Sequence, residues 1–116
     1  AKGMVIGRDK KNQQLRNEAT YYGGGAYSSV KPQRFDSHGG WIATPIDLLR
    51  FMRHNNDHAN YHNGLMDGTT AVYRKNYNSN FGYVAVTNSR KKPAALDSLM
   101  KDIINSTPNW PSVNLF

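Results

Sequence analysis

The side chains best suited to chemistry lie near the middle of the chain. His54, His58 and His62 recur every four residues, with Asp57 between them. On a helix this spacing would place three imidazoles on one face, where they could bind a metal ion such as zinc. Several asparagines in the same stretch disfavour a helix, because their side chains compete for backbone hydrogen bonds. We therefore predict an exposed polar linker here and no metal site.

A second pattern begins at the last of these histidines. His62, Asn63 and Gly64 precede Leu65, and Gly68 follows shortly afterwards. An imidazole can donate a hydrogen bond or, when protonated, attract a carboxylate, and a glycine lets a ligand approach the backbone closely. The glycine spacing predicts a turn that leads into two strands. A ligand-facing imidazole would then stand beside an accessible stretch of backbone.

The first element able to position these residues is a short helix. Thr44 is a side-chain N-cap, Pro45 suits the first helical position, and Asp47 follows the cap by three residues, where a carboxylate can answer exposed amides. Apolar residues then recur at helical spacing: Ile46, Leu48, Leu49 and Met52. The pattern predicts an amphipathic helix from about Pro45 to about Arg53.

A hairpin and a second helix are predicted downstream. Residues 69–74 and 81–87 are rich in β-branched and aromatic side chains, and residues 75–80 join them, which indicates an antiparallel hairpin. Behind Pro93 an apolar stripe indicates a helix that ends before Pro108 and packs on this hairpin. The stripe comprises Leu96, Leu99, Met100, Ile103 and Ile104.

These elements predict an α+β fold in one segment of 116 residues. Residues 1–43 read as irregular and loop-rich, with no core of their own. Residues 44–116 form a helix, an antiparallel sheet of two or three strands, and a carboxy-terminal helix on one face of that sheet. The absence of cysteine excludes disulfides and thiolate sites, and no run is apolar enough for a signal peptide or a membrane span. A signal removed from an upstream position would remain compatible with this sequence.

Two stretches of the chain resemble the carboxy-terminal part of the serine β-lactamase and penicillin-binding-protein superfamily. They are residues 36–52, Asp36-Ser-His-Gly-Gly-Trp-Ile-Ala-Thr-Pro-Ile-Asp-Leu-Leu-Arg-Phe-Met52, and residues 62–68. Enzymes of this family combine a Ser-x-x-Lys helix, a Tyr-x-Asn loop and a Lys/His-Thr-Gly strand. The resemblance implies that His62 and Gly64 occupy the outer positions of that strand triplet. Asn63 departs from the usual threonine. Leu65 would direct its backbone N–H toward a developing oxyanion.

The nucleophile of this family is not evident in the chain. Ser-x-x-Lys spacing begins at Ser28, Ser89 and Ser98. In the first two cases the lysine precedes a proline, which disfavours helical geometry, and Ser98 lies off the apolar stripe. The Tyr-x-Asn match at residues 61–63 overlaps the triplet and cannot serve both roles. We therefore expect the chain alone to be inactive.

The resemblance implies a parent enzyme that hydrolyses an amide or ester by acyl transfer, without a cofactor and outside the cytoplasm. Its substrate would be a small molecule or a peptide: a β-lactam, a D-Ala peptide or a simple ester. The partner of this segment would be the missing amino-terminal catalytic part, or a second copy through self-association. Trp41 either lines the substrate cleft or fills a junction between helix and sheet.

A binding module is the alternative hypothesis. The net charge of +7 suits an acidic partner such as nucleic acid or an anionic polymer. Residues 79–86 resemble the aromatic strand of RNA-recognition modules, with Phe81 and Tyr83 as stacking rings. The basic opening of that motif is missing, and no second aromatic strand lies upstream. Core packing of Phe81 and Tyr83 is therefore the favoured interpretation, and nucleic acid is not the expected partner.

Overall fold

The computed structural model describes residues 3–35, 37, 39–55, 60–78 and 81–112. Within these ranges the architecture is α+β, as the sequence predicts, with two antiparallel sheets of two and three strands. The strands and α-helices, in chain order, are β1 (Val5–Ile6), β2 (Trp41–Ile42), α1 (Pro45–His54), β3 (Tyr61–Met66), β4 (Thr69–Tyr77), β5 (Phe81–Thr87) and α2 (Pro93–Ser106). The small sheet pairs β1 with β2, and the larger sheet has the order β3-β4-β5.

Helix α1 begins where its capping residues predict. The Thr44 hydroxyl oxygen accepts a hydrogen bond from the Asp47 backbone N–H at 3.1 Å, and Pro45 occupies the first helical position. The sequence predicts that the Asp47 carboxylate accepts hydrogen bonds from exposed backbone amides. In the structure it accepts instead from the Thr44 hydroxyl, at 2.8 Å. The two side chains therefore hold each other, and the cap fixes the direction in which the chain enters the helix.

Strand β3 is longer than the sequence indicates, because the turn is confined to two residues. The glycine-spaced segment was predicted as a turn, but residues 61–66 are strand and only Asp67 and Gly68 form the loop. Gly68 has φ +85°, and a Cβ there would lie 2.8 Å from the Tyr21 Cβ. A positive φ at the second position of a turn favours glycine, as in type II turns, and it lets the chain reverse within two residues, so the strand runs almost to the glycine. Strand β4 also extends past the predicted end, to Tyr77.

The core lies between the larger sheet and α2. Val72 and Tyr83 of the sheet pack with Leu96 and Ile104 of the helix, all four buried. Helix α2 covers the predicted range, but only part of its apolar stripe is covered. The exposed members are Leu99, at 54%, and Ile103, at 42%. A three-stranded sheet is too narrow to cover both flanks of this helix.

The amino-terminal stretch is mostly irregular, as predicted, but it does contribute to the core. Ala26 is buried, at 6% exposure, against the expectation that this region has no core residue. The Tyr22 backbone N–H donates to the Asn88 carbonyl at 3.1 Å, next to a parallel bridge between Tyr22 and Ser89. The loop is thus attached to the end of β5. Among the described residues, no helix is long and apolar enough to cross a membrane.

Candidate functional site

The residues of the predicted triplet lie on an outer strand of the larger sheet. Strand β3 pairs with β4 on one side, and no described strand pairs with its other side. All four predicted site residues are solvent-exposed: His62, Asn63, Gly64 and Leu65. An open strand edge presents backbone donors and acceptors to whatever approaches it. The structure therefore brings the four residues together on an accessible edge.

The strand register decides which backbone groups face outward. The Lys75 N–H donates to the Asn60 carbonyl at 2.8 Å, so the even-numbered residues of β3 exchange hydrogen bonds with β4. In an antiparallel pair the alternate residues point their N–H and C=O groups away from the neighbour. Asn63 and Leu65 are those residues. The Leu65 N–H thus points out of the open edge, as the predicted oxyanion donor must.

Within the part of the chain that the structure describes, neither backbone conformation nor a close neighbour requires glycine at position 64. Its φ is not positive, and a Cβ built on it would meet no described atom within 4 Å. In this respect it differs from Gly68, where backbone conformation and close neighbours both exclude a side chain. A glycine inside a strand costs stability, and close approach of a ligand or another backbone is one of the reasons for which strands contain glycine.

The His62 ring rests on an aromatic ring of the central strand. His62 lies opposite Tyr73 in the register, and the two ring centroids are 5.5 Å apart with an interplanar angle of 35°. Tyr73 is buried, at 9% exposure. Side chains alternate along a strand, so His62 and Gly64 project from one face and Asn63 from the other. The amide of Asn63 therefore does not stand beside the imidazole.

A cleft of about 890 Å³ opens on the same sheet face, beyond the end of β3. Its lining includes Trp41, which is 48% exposed, and Met66, which shares the face of His62 and Gly64. None of the residues 62–65 lines it. Trp41 thus stands at a cleft and does not fill a buried junction. The cleft and the open edge meet at Met66, two residues along the strand from Gly64.

The opposite face of the sheet carries a buried ion network that the sequence did not reveal. Arg74 binds the Asp97 carboxylate through Nε at 3.2 Å and through Nη2 at 2.9 Å. The Tyr83 hydroxyl donates to Asp97 at 2.5 Å, and the Lys101 ammonium lies 2.7 Å from it. The Arg74 guanidinium also stacks on the Tyr61 ring at 4.5 Å. The spacing of Asp97 and Lys101 by four residues was the only sequence signal for this network.

The network strongly shifts the acidities of its members. Burial alone would raise the pKa of Asp97, but hydrogen bonds from Arg74, Lys101 and Tyr83 outweigh it and hold that pKa well below the ordinary value of 3.8. Burial and the hydrogen bond to Asp97 raise the pKa of Tyr83 to about 12. All four polar groups are occupied with one another, which indicates a structural role.

The other candidate constellations do not assemble a site. Among the described residues, no three His, Cys, Asp or Glu side chains could hold a metal ion. Helix α1 ends at His54, His62 lies in β3, and Asp57 and His58 fall outside the described residues. The predicted linker there is therefore described only in part.

The strand that resembles the aromatic strand of RNA-recognition modules does not leave its rings free to stack on bases. Tyr83 is 5% exposed and bound to Asp97, and Phe81 meets Trp110 edge-to-face at 5.4 Å. The alternative hypothesis of a base-stacking strand through Phe81 and Tyr83 is therefore wrong for Tyr83, and core packing explains the aromatic residues. Ser79, at the start of that motif, lies outside the described residues.

The Ser-x-x-Lys spacings form no nucleophile. Ser28 lies in a turn and Ser89 in the bridge to the amino-terminal loop, so neither starts a helix. Ser98 is exposed on α2, and the Lys101 ammonium is held by Asp97. Comparison with family models, with curated proteins and with solved structures found no significant match to the chain.

Proposed function

We propose that this chain supplies the substrate-binding and oxyanion side of a serine acyl-transfer site, in a β-lactamase-like hydrolase of amides or esters. The observation that carries the proposal is Gly64, an unforced glycine on an open edge between His62 and an outward-pointing Leu65 N–H. The nucleophile would come from residues outside these 116. The order of helix α1, a three-stranded hairpin sheet and α2 supports a β-lactamase-like carboxy-terminal region.

Three residues of the edge, His62, Gly64 and Leu65, have distinct roles in this proposal. The Leu65 N–H stabilises negative charge on the carbonyl oxygen as the tetrahedral intermediate forms, because it is fixed by the strand and needs no reorganisation. Gly64 leaves room for the acyl group. His62 donates a hydrogen bond to the substrate or, when protonated, attracts a carboxylate. The cleft at Trp41 and Met66 would hold the remainder of the substrate.

The first experiment tests the chain on its own. Mixed with a chromogenic cephalosporin or a nitrophenyl ester, it should release no burst of product, because it holds no activated hydroxyl. Turnover that Ser28→Ala, Ser89→Ala or Ser98→Ala abolishes would overturn the assignment of the nucleophile to another part of the protein.

The second experiment tests the edge in the complete protein, with its nucleophile present. His62→Ala should lower kcat/KM more than His54→Ala, which changes an exposed histidine at the end of α1. Gly64→Val should reduce kcat further, by about 10²–10³-fold, because blocking the backbone approach removes an oxyanion donor. Equal and small effects at both histidines, with Gly64→Val tolerated, would exclude the edge as the site.

A further inference from the structure

We propose that Tyr73 is a positioning residue that orients the imidazole of His62. This inference rests on the proposed function, in which His62 contacts the substrate, and names a second residue for the same site. Tyr73 has no exposed edge of its own from which to bind a ligand, because it is buried on the central strand β4. Its ring nevertheless lies under the ring of His62, at a centroid distance of 5.5 Å.

The geometry makes Tyr73 a fixed support. His62 and Tyr73 are a hydrogen-bonded pair of opposite residues, so both backbones are held before the side chains meet. A centroid distance of 5.5 Å and an angle of 35° fall within the range in which aromatic rings attract each other. Met52 of α1 lies close to Gly82, on the same sheet face as Tyr73, so α1 covers part of that face.

A support on β4 matters for His62 because, among the described residues, its neighbours on β3 leave the ring exposed. It is exposed on an outer strand, and its neighbour along the same face, Gly64, has no side chain. A Cβ at Gly64 would meet no atom of the described residues within 4 Å, so the space beside Gly64 is open to a ligand. A free imidazole would lose rotational entropy on binding, whereas a ring already held against Tyr73 has lost it beforehand. The position of the His62 imidazole therefore depends on the Tyr73 ring.

The sheet provides a matched control on its other face. Tyr61, adjacent to His62 in β3, stacks on Arg74 at 4.5 Å and joins the buried ion network. Replacing either tyrosine by leucine removes the same ring from the same hairpin. Only the replacement at Tyr73 should affect His62.

The test combines ring signals with ligand titration of the 116-residue chain. In NMR spectra, the His62 ring protons should show an upfield ring-current shift and contacts to the Tyr73 ring. Tyr73→Phe should retain both signals, Tyr73→Leu should lose both, and Tyr61→Leu should retain both. Unchanged His62 signals in a folded Tyr73→Leu variant would overturn the inference.

Titration with benzylpenicillin, followed through the amide shifts of Leu65 and His62, then measures the consequence. Tyr73→Leu should weaken binding several-fold and Tyr73→Phe should not. The double variant His62→Ala, Tyr73→Leu should bind no more weakly than His62→Ala alone, because Tyr73 acts through His62. Additive losses would contradict positioning. If the unmodified chain shows no shift at either amide, the proposed function fails for β-lactam substrates, while the ring signals still decide whether Tyr73 positions His62.

Discussion

The two faces of the three-stranded sheet carry polar and aromatic side chains with opposite properties. On one face, Arg74 and Tyr83 surround a buried Asp97, and every polar group has a partner. On the other face, His62 has an aromatic support and an open side next to Gly64. Closed networks stabilise a fold, whereas open groups on a rigid support are available to a ligand. The two faces therefore differ in whether their polar side chains already have partners within the fold, and less in the types of those side chains.

The largest difference between the two faces should appear in stability when Asp97 is removed. Asp97→Ala leaves the Arg74 guanidinium without its carboxylate beside the core. We expect a loss of about 3 kcal/mol in the free energy of unfolding, near the lower end for a buried ion pair because Arg74 and Lys101 remain partly exposed. Urea unfolding measures it. Asp102→Ala, which removes an exposed acid of the same helix, is the control and should change stability by less than about 0.5 kcal/mol.

The acid dependence of stability should follow the same carboxylate. The pKa of Asp97 is lower in the folded chain than its ordinary value of 3.8, so the folded state binds its proton less readily. The stabilisation is therefore complete above that value and decreases as pH falls below it. Urea midpoints measured from neutral pH down to about pH 2 should fall more steeply for the unmodified chain than for Asp97→Ala. Parallel pH profiles would assign the acid sensitivity to other groups.

A smaller effect is expected for the hydroxyl of Tyr83. Tyr83→Phe keeps the ring in the core but removes the donor to Asp97, at a cost of about 1.5 kcal/mol for a hydrogen bond to a charged group. The pKa of Tyr83 is raised from 10.0 to about 12, so its stabilisation is complete below 10.0 and is lost as pH rises towards 12. Unfolding curves of the two proteins should therefore converge in alkali. A constant difference at all pH values would show that ionisation of Tyr83 is not coupled to folding.

The two faces also differ in how far the sequence predicts them. The caps and periodic patterns around Thr44 and Pro93 predict both helices closely, because these signals are local. The ion pair between Arg74 and Asp97 forms because α2 packs over the sheet, and no local sequence pattern predicts that packing. The triplet predicts that His62 lies on a strand. Its ring contact with Tyr73 cannot be predicted in this way, because it depends on the register in which β3 pairs with β4. The length of the turn was overestimated. Gly68, with its positive φ, lets the chain reverse within two residues.

The smallest stability effect, and the most informative for the open face, is expected at Gly64. A Cβ at this position would meet none of the described atoms within 4 Å, so Gly64→Ala should fold normally and gain up to about 0.5–1 kcal/mol from reduced backbone freedom in the unfolded chain. Gly68→Ala is the contrasting control. It should lose stability, because Gly68 has φ +85° and a Cβ there would clash with Tyr21.

Urea unfolding distinguishes the two variants, and benzylpenicillin titration adds the functional side. A Gly64→Ala variant that is more stable but binds more weakly would show that the glycine costs stability in order to keep the edge open. This is the expected trade-off at a functional position, where the optimum for binding differs from the optimum for folding. A variant that loses stability would instead reveal a packing role for Gly64. The face with His62 would then be structural, like the face with Asp97.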